Sequence, residues 1–245
     1  MKTDTTEKIL RRQVAACTRM LHAHGILGYS GHVSVRLPGT DRLLIQSFDR
    51  SRAELSPEDL LVVDLDGGVI EAPKNTKPPS ELVIHTAILK ARPDVEAVLH
   101  CHPETATLFT LLEDQPLIPV KNHAIRWADG VPVHPDPGHI SSPEQGRDLA
   151  ATLGKGAACL LRAHGAVLVA ESVPALLVDG VHFEENAEAL SRTLMMGRAK
   201  PLSEDEIAAM RGSFNRERHV AKLWIYYLGL AQGDGTLPEG WAKGL

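Results

Sequence analysis

The 245-residue sequence predicts an α/β domain in which a mixed sheet is covered by helices on both faces. Three observations carry this expectation. Apolar positions near the start recur with the period of one helical face; short β-branched runs are interleaved with helical segments; and several connections are short enough for hairpins rather than strict βαβ crossovers. A hydrophobic fraction of 43% is enough for one sizeable core, so a single domain spanning residues 1–245 is expected.

The elements follow in order. Over residues 5–24 the apolar positions Leu10, Val14, Cys17 and Leu21 define a helix, with Gly25 as its stop. Strand-like runs follow at 32–37, 42–47 and 60–65, and Asp66-Gly67-Gly68 before Val69-Ile70 reads as a hairpin. Pro78-Pro79-Ser80 introduces a helix through ELVIHTAILKAR, with Ser80 as the expected N-cap, Glu81 in the first turn and Pro93 as terminator. VEAVLHCHP reads as a strand, ETATLFTLLE as a helix and PLIPV as extended chain. SPEQGRDLAATLG is helical, AACLLRAHG and AVLVA are strands, and two helices follow over about 173–196 and 203–230. The Pro- and His-rich stretch 122–142 is the least regular, the kind of loop that often serves function or an interface.

Charge and composition exclude several functions. With 26 basic and 31 acidic side chains and no basic run, the chain lacks what a phosphate-backbone partner requires, so nucleic acid is not an expected partner. The N-terminus has no apolar leader core and no apolar run approaches about 18 residues, so no membrane partner is expected. Cys17, Cys101 and Cys159 are widely spaced and odd in number, which fits a reducing cytoplasm.

Twelve histidines stand against three Trp, three Tyr and four Phe, which directs attention to imidazole chemistry. His100 and His102 end a strand and point to one face while Cys101 points to the other, so the two imidazoles form a metal pincer or an ordinary hydrogen-bonded pair. His164 ends an apolar run before Gly165, where backbone can approach a ligand closely; it is a third ligand or a buried core histidine. Three neutral imidazoles leave a coordination position open. Glu81 is either an acid/base group or extra ligand, or a first-turn glutamate compensating the helix dipole.

Together these segments resemble the class II aldolase/adducin family. GYSGHVSVR after the first helix, SELVIHTAILKARPDVEAVLHCHP and CLLRAHGAVLVAES occur in the family's order and spacing, covering nearly the whole chain. The resemblance implies a three-layer αβα sandwich with a mixed, largely antiparallel central sheet. It implies a homotetramer with active sites between subunits and the helices around 203–230 at an interface. By the same correspondence His100, His102 and His164 hold one divalent ion per subunit (zinc, manganese, iron or cobalt), and Glu81 is the catalytic carboxylate.

Departures from the family narrow the substrate. Sugar-phosphate members cradle phosphate with Gly-Asn, Thr/Ser-Gly and Ser-Ser pairs, where this chain reads Gly31-His32, Ser47-Phe48 and Pro79-Ser80. An imidazole, a bulky ring and a residue without an N–H replace small groups and backbone donors, so a phosphorylated sugar is not expected. The Gly-His-Val-Ser loop looks like that of decarboxylases acting on hydroxylated aromatic or pyridine dicarboxylic acids. Gly31, Phe48 and Ser80 then fall at substrate positions, with His32 as a second catalytic candidate and His32 and Arg36 meeting a carboxylate or hydroxyl. The bland alternatives are a core-packed Phe48 and a solvated Arg36. Among the loop histidines His123 is expected to line the site, with His134 and His139 undecided. Tyr227 is either part of a packed helix or reaches a neighbouring subunit's site. For His22, His24, His85, His182 and His219 a structural role is expected. The expected activity is metal-dependent decarboxylation of a small hydroxylated aromatic carboxylic acid. The alternatives are retro-aldol cleavage of a non-phosphorylated hydroxy-oxo acid and a non-catalytic, adducin-like interaction module.

Overall fold

The computed structural model describes residues 2–245, with side chains from residue 5 onward. The first helix, α1 (Lys2–Ala23), buries Val14, Cys17 and Leu21. It closes with Gly25 N–H donating to His22 O and Ile26 N–H donating to Leu21 O, which satisfies its last carbonyls.

Eight strands follow: β1 (His32–Arg36), β2 (Arg42–Gln46), β3 (Leu60–Asp64), β4 (Val69–Glu71), β5 (Ala97–Cys101), β6 (Val133–His134), β7 (Ala158–Leu161) and β8 (Gly165–Ala170). They form one sheet in the order β4-β3-β2-β1-β5-β8-β7-β6, antiparallel at every step except the parallel β6–β7 pair. Alternation of side chains then separates two cores. On one face Leu43, Ile45, Leu61, Val98 and Val167 pack under α2 (Leu82–Ala91) and α4 (Pro143–Leu153). On the other, Val33, Val35, Leu44, Leu99 and Leu168 pack under α1, α5 (Val173–Met196) and α7, which spans Arg216–Gly233. The result is the expected three-layer sandwich with a mixed, largely antiparallel sheet. The three cysteines are buried and unpaired, and no helix among the described residues is long and apolar enough to cross a membrane.

Three local expectations are corrected. The helix after His102 is only α3 (Glu104–Leu108), ending well short of Glu113. PLIPV, read as extended chain, is neither helix nor strand, and Asn186 anchors its backbone: Oδ1 accepts from Val120 and Lys121 N–H, and Nδ2 donates to Ile118 O. The last expected helix is two, α6 (Glu204–Ser213) and α7, divided where Asn215 caps α7 by accepting from Arg218 N–H. Ser80 is not the N-cap of α2; Glu81 holds that position and its side chain makes no capping bond.

Candidate metal centre

The free carboxylate of Glu81 is turned toward three histidines supplied by the far ends of strands. His100 is the penultimate residue of β5, on the α2/α4 face and directly across from His32 in the β1–β5 register. His102 lies one residue beyond β5, and His164 sits in the turn between β7 and β8. That turn is tight: His164 N–H donates to Leu161 O at 3.1 Å and Ala163 adopts φ +54°. Gly165 is required beside it, since a Cβ there would collide with the Cys101 carbonyl and come within 2.8 Å of the His102 ring.

The three rings converge. Centroid separations are 4.8 Å for His100–His102, 5.0 Å for His100–His164 and 5.2 Å for His102–His164. One nitrogen from each lies within 4.8 Å of the others. Hydrogen bonds behind the rings set their orientation: His100 Nδ1 donates to Ala166 O at 3.1 Å, and His102 Nδ1 lies 3.0 Å from Ser30 Oγ. Nε2 of both rings is buried without a hydrogen-bond partner. Because a carbonyl can only accept, His100 carries its proton on Nδ1, leaving a lone pair on Nε2 only 3.2 Å from Glu81 Oε2. A second proton or a metal cation reconciles these two acceptors, and the orphaned nitrogens fit the ligand set of a divalent ion.

Electrostatics agree with that fit. Burial, followed by repulsion from His100 and His164, lowers His102 to about 4; burial and then His100 lower His164 as well, so both rings are neutral donors near pH 7. For Glu81, burial pushes the carboxyl up, but the His100 contact, electrostatic interaction with the His100 and His164 rings, and the Ile140 N–H at 3.2 Å outweigh it and hold the group at about 2. Its Oε1 also faces His139 Nδ1 at 3.3 Å and His164 Nε2 at 3.7 Å.

Above the cluster opens a cavity of about 1210 Å³ lined by His32, Phe48, Ser80, Glu81, His102 and His139, among others. Phe48 is 42% exposed rather than core-packed, with Lys77 Nζ 4.4 Å from its ring centroid. His32 is buried with its Nδ1 3.4 Å from His85 Nε2, and His85 Nδ1 lies 2.7 Å from Ser34 Oγ. His32 is held well below its ordinary value by burial first and then by His100 and His85. Gly31 acts through its backbone: its carbonyl accepts from Arg52 Nε at 3.2 Å and Gln46 Nε2 at 3.1 Å.

Arg36 and His123 lie away from this cavity, and Tyr227 is packed on its own helix, α7. Arg36 is at the opposite end of β1 from His32, where Nη2 donates to Leu89 O at 2.7 Å in the last turn of α2. His123 lines a separate cavity of about 410 Å³. Tyr227 is 7% exposed and packs edge-on to His24 at 5.1 Å within its own subunit. His85, expected to be structural, is buried behind His32, and nothing in the sequence singles out Arg52, which braces the Gly31 loop.

The relatives share both architecture and length. A 3,4-dihydroxyphthalate decarboxylase of Arthrobacter keyseri is 30% identical over 84% of this chain and 89% of its own. A 5-methylthioribulose-1-phosphate/5-deoxyribulose-1-phosphate aldolase of Rhodospirillum rubrum is 31% identical over 80% and 86%. The crystal structure of an aldolase II superfamily protein from Pseudomonas syringae superposes with a TM-score of 0.83 at 26% identity, covering 94% of both chains. The model for the Class II Aldolase and Adducin N-terminal domain matches residues 12–190, which include every histidine and carboxylate of the cluster, and the chain belongs to that family.

Proposed function

We propose that this protein is a metal-dependent carbon–carbon lyase that decarboxylates a small hydroxylated aromatic carboxylic acid of the dihydroxyphthalate type. The observation that carries the reading is the juxtaposition of three converging imidazoles and the Glu81 carboxylate with the exposed Phe48 ring beside one cavity. His100, His102 and His164 would hold zinc, manganese, iron or cobalt. Bound there, the ion would supply Lewis-acid withdrawal of electrons from the substrate.

The chain's own groups supply the rest. Phe48 offers a ring face to a flat substrate. Glu81, ionised, accepts the proton of the substrate hydroxyl. As the ring-to-carboxylate bond breaks, CO2 leaves and the electron pair stays on the ring carbon, to which Glu81 or His32 returns a proton. His32 is backed by the His85–Ser34 pair, which holds its ring in place. We also propose that the assembly is a homotetramer with sites between subunits. Exposed Ile225, Tyr226 and Leu230 on α7 and Met195 and Met196 at the end of α5 supply apolar surface for it.

A second reading, retro-aldol cleavage of a non-phosphorylated hydroxy-oxo acid, is favoured by the aldolase relative at 31% identity and needs the same stabilised anion. Metal-loaded protein supplied with a panel of such acids separates the two. Release of CO2 from a hydroxylated aromatic acid is expected; aldehyde or pyruvate release without CO2 contradicts the decarboxylase reading.

A further inference from the structure

α5 and the irregular segment ahead of β6 build a second group of metal-ligating side chains, outside the three-histidine cavity. His182 and Glu185 are three residues apart on α5 and so share a helix face. The 3-10 turn Asn122–Trp127 brings His123 against them. The His123 and His182 rings stack at 4.0 Å with 16° between planes, and His123 Nε2 lies 3.6 Å from Glu185 Oε2. One ligand atom from each of the three residues lies within 4.8 Å of the other two.

Two buried nitrogens here lack any hydrogen-bond partner, His123 Nε2 and His219 Nε2. His219, whose centroid is 5.5 Å from that of His182, lines the same cavity as His123 and His182. The cations nearby are already matched by anions. Arg216 pairs with Asp179 at 2.7 Å and Glu171 at 2.6 Å, Arg126 with Asp179 at 3.3 Å, and Arg211 with Asp129 at 2.8 Å. Lys121 reaches Glu185 at 3.5 Å but is 41% exposed, so an incoming cation can displace it into water.

We propose that His123, His182 and Glu185 form a second divalent-cation site, of two imidazoles and one carboxylate, with His219 at its edge. That donor set suits zinc and other first-row ions. Ligands about 2.1 Å from a tetrahedral ion stand about 3.4 Å apart, so the group must close by up to about 1.4 Å from its 4.8 Å spread. Glu185, 42% exposed, has the freedom to swing inward. The ion would tie the 122–127 turn to α5, and it shares no ligand with the His100, His102 and His164 group.

The test is metal titration of the stripped full-length protein with cobalt(II), reading bound metal per chain by elemental analysis and ligation by visible absorption. Two ions are expected in the parent and one in His100→Ala. Glu185→Gln and His182→Ala should each retain one ion, with the other weakened at least about tenfold. In the His100→Ala background the remaining ion should raise the melting temperature, and the added Glu185→Gln change should abolish that rise. Because Glu185 is half-exposed, the glutamine variant keeps the test open even if His182→Ala folds poorly. One ion per chain in the parent, or a second ion undiminished in both α5 variants, overturns the proposal.

Discussion

Glu81 sits at a helix N-cap and leaves the helix uncapped in order to face His100, His139 and His164. If it is the proton carrier, Glu81→Gln should lower turnover by about 10²- to 10⁴-fold while metal content stays at the parental level. Loss of metal in that variant would make Glu81 a ligand instead. Behind the site, His85 is fully buried and lowered to about 3, by burial first and then by repulsion from His100. In the unfolded chain it titrates near 6.5. Between those values the unfolded state binds more protons, so the stability His85 permits is complete above about pH 6.5 and declines as pH falls toward 3. Urea unfolding at pH 7 and pH 5 should therefore show the parent losing about 2 kcal/mol more than His85→Gln. Equal losses would contradict a neutral buried ring. At this scale the sequence was informative where period-two alternation and a following glycine placed His100, His102 and His164. It misplaced Arg36 because alternation reports which face a residue shares, not which end: Arg36 and His32 share a face of β1, yet four residues of strand, about 13 Å, separate them.

The elements converge on the site through close backbone approach. The turn from β7 to β8 delivers His164 only because Gly165 passes against Cys101 and His102. Gly165→Ala should cost about 3 kcal/mol in urea unfolding and weaken metal binding together with stability. Gly229→Ala on α7, where an added Cβ meets nothing within 4 Å, should be stabilising by about 0.5–1 kcal/mol. A Gly165→Ala protein as stable as the parent would contradict the packing described. The strands other than β6, together with α1, α2, α4 and α5, were legible because each carries a clear period and a local terminator; β6 lies in the stretch 122–142 read as irregular. The division of the C-terminal helix and the anchoring of PLIPV were not legible. Both depend on one side chain satisfying backbone: Asn215 starts α7 locally, and Asn186 holds residues 118–121 from 65 or more positions away.

For the whole molecule, the two cores on opposite faces of one sheet explain why the histidine cluster is stable while open to a cavity: it occupies the sheet's edge-on end, between loops, not the sandwich interior. Met195 and Met196 of α5 and Ile225, Tyr226 and Leu230 of α7 are exposed, and the proposed tetramer would cover them. Light scattering should give a mass about four times the 26.6 kDa of one chain, and a monomer would contradict the proposed assembly. The most direct measurement of the central claim is CO2 released from 3,4-dihydroxyphthalate by the metal-loaded protein, the acid named for the relative at 30% identity. The account predicts turnover by the parent and none above background in His100→Ala, with the variant folded and depleted of the ion at the three-histidine cluster. CO2 release that survives the loss of that ion, or a metal-loaded parent inert toward hydroxylated aromatic acids while cleaving a hydroxy-oxo acid, would contradict it.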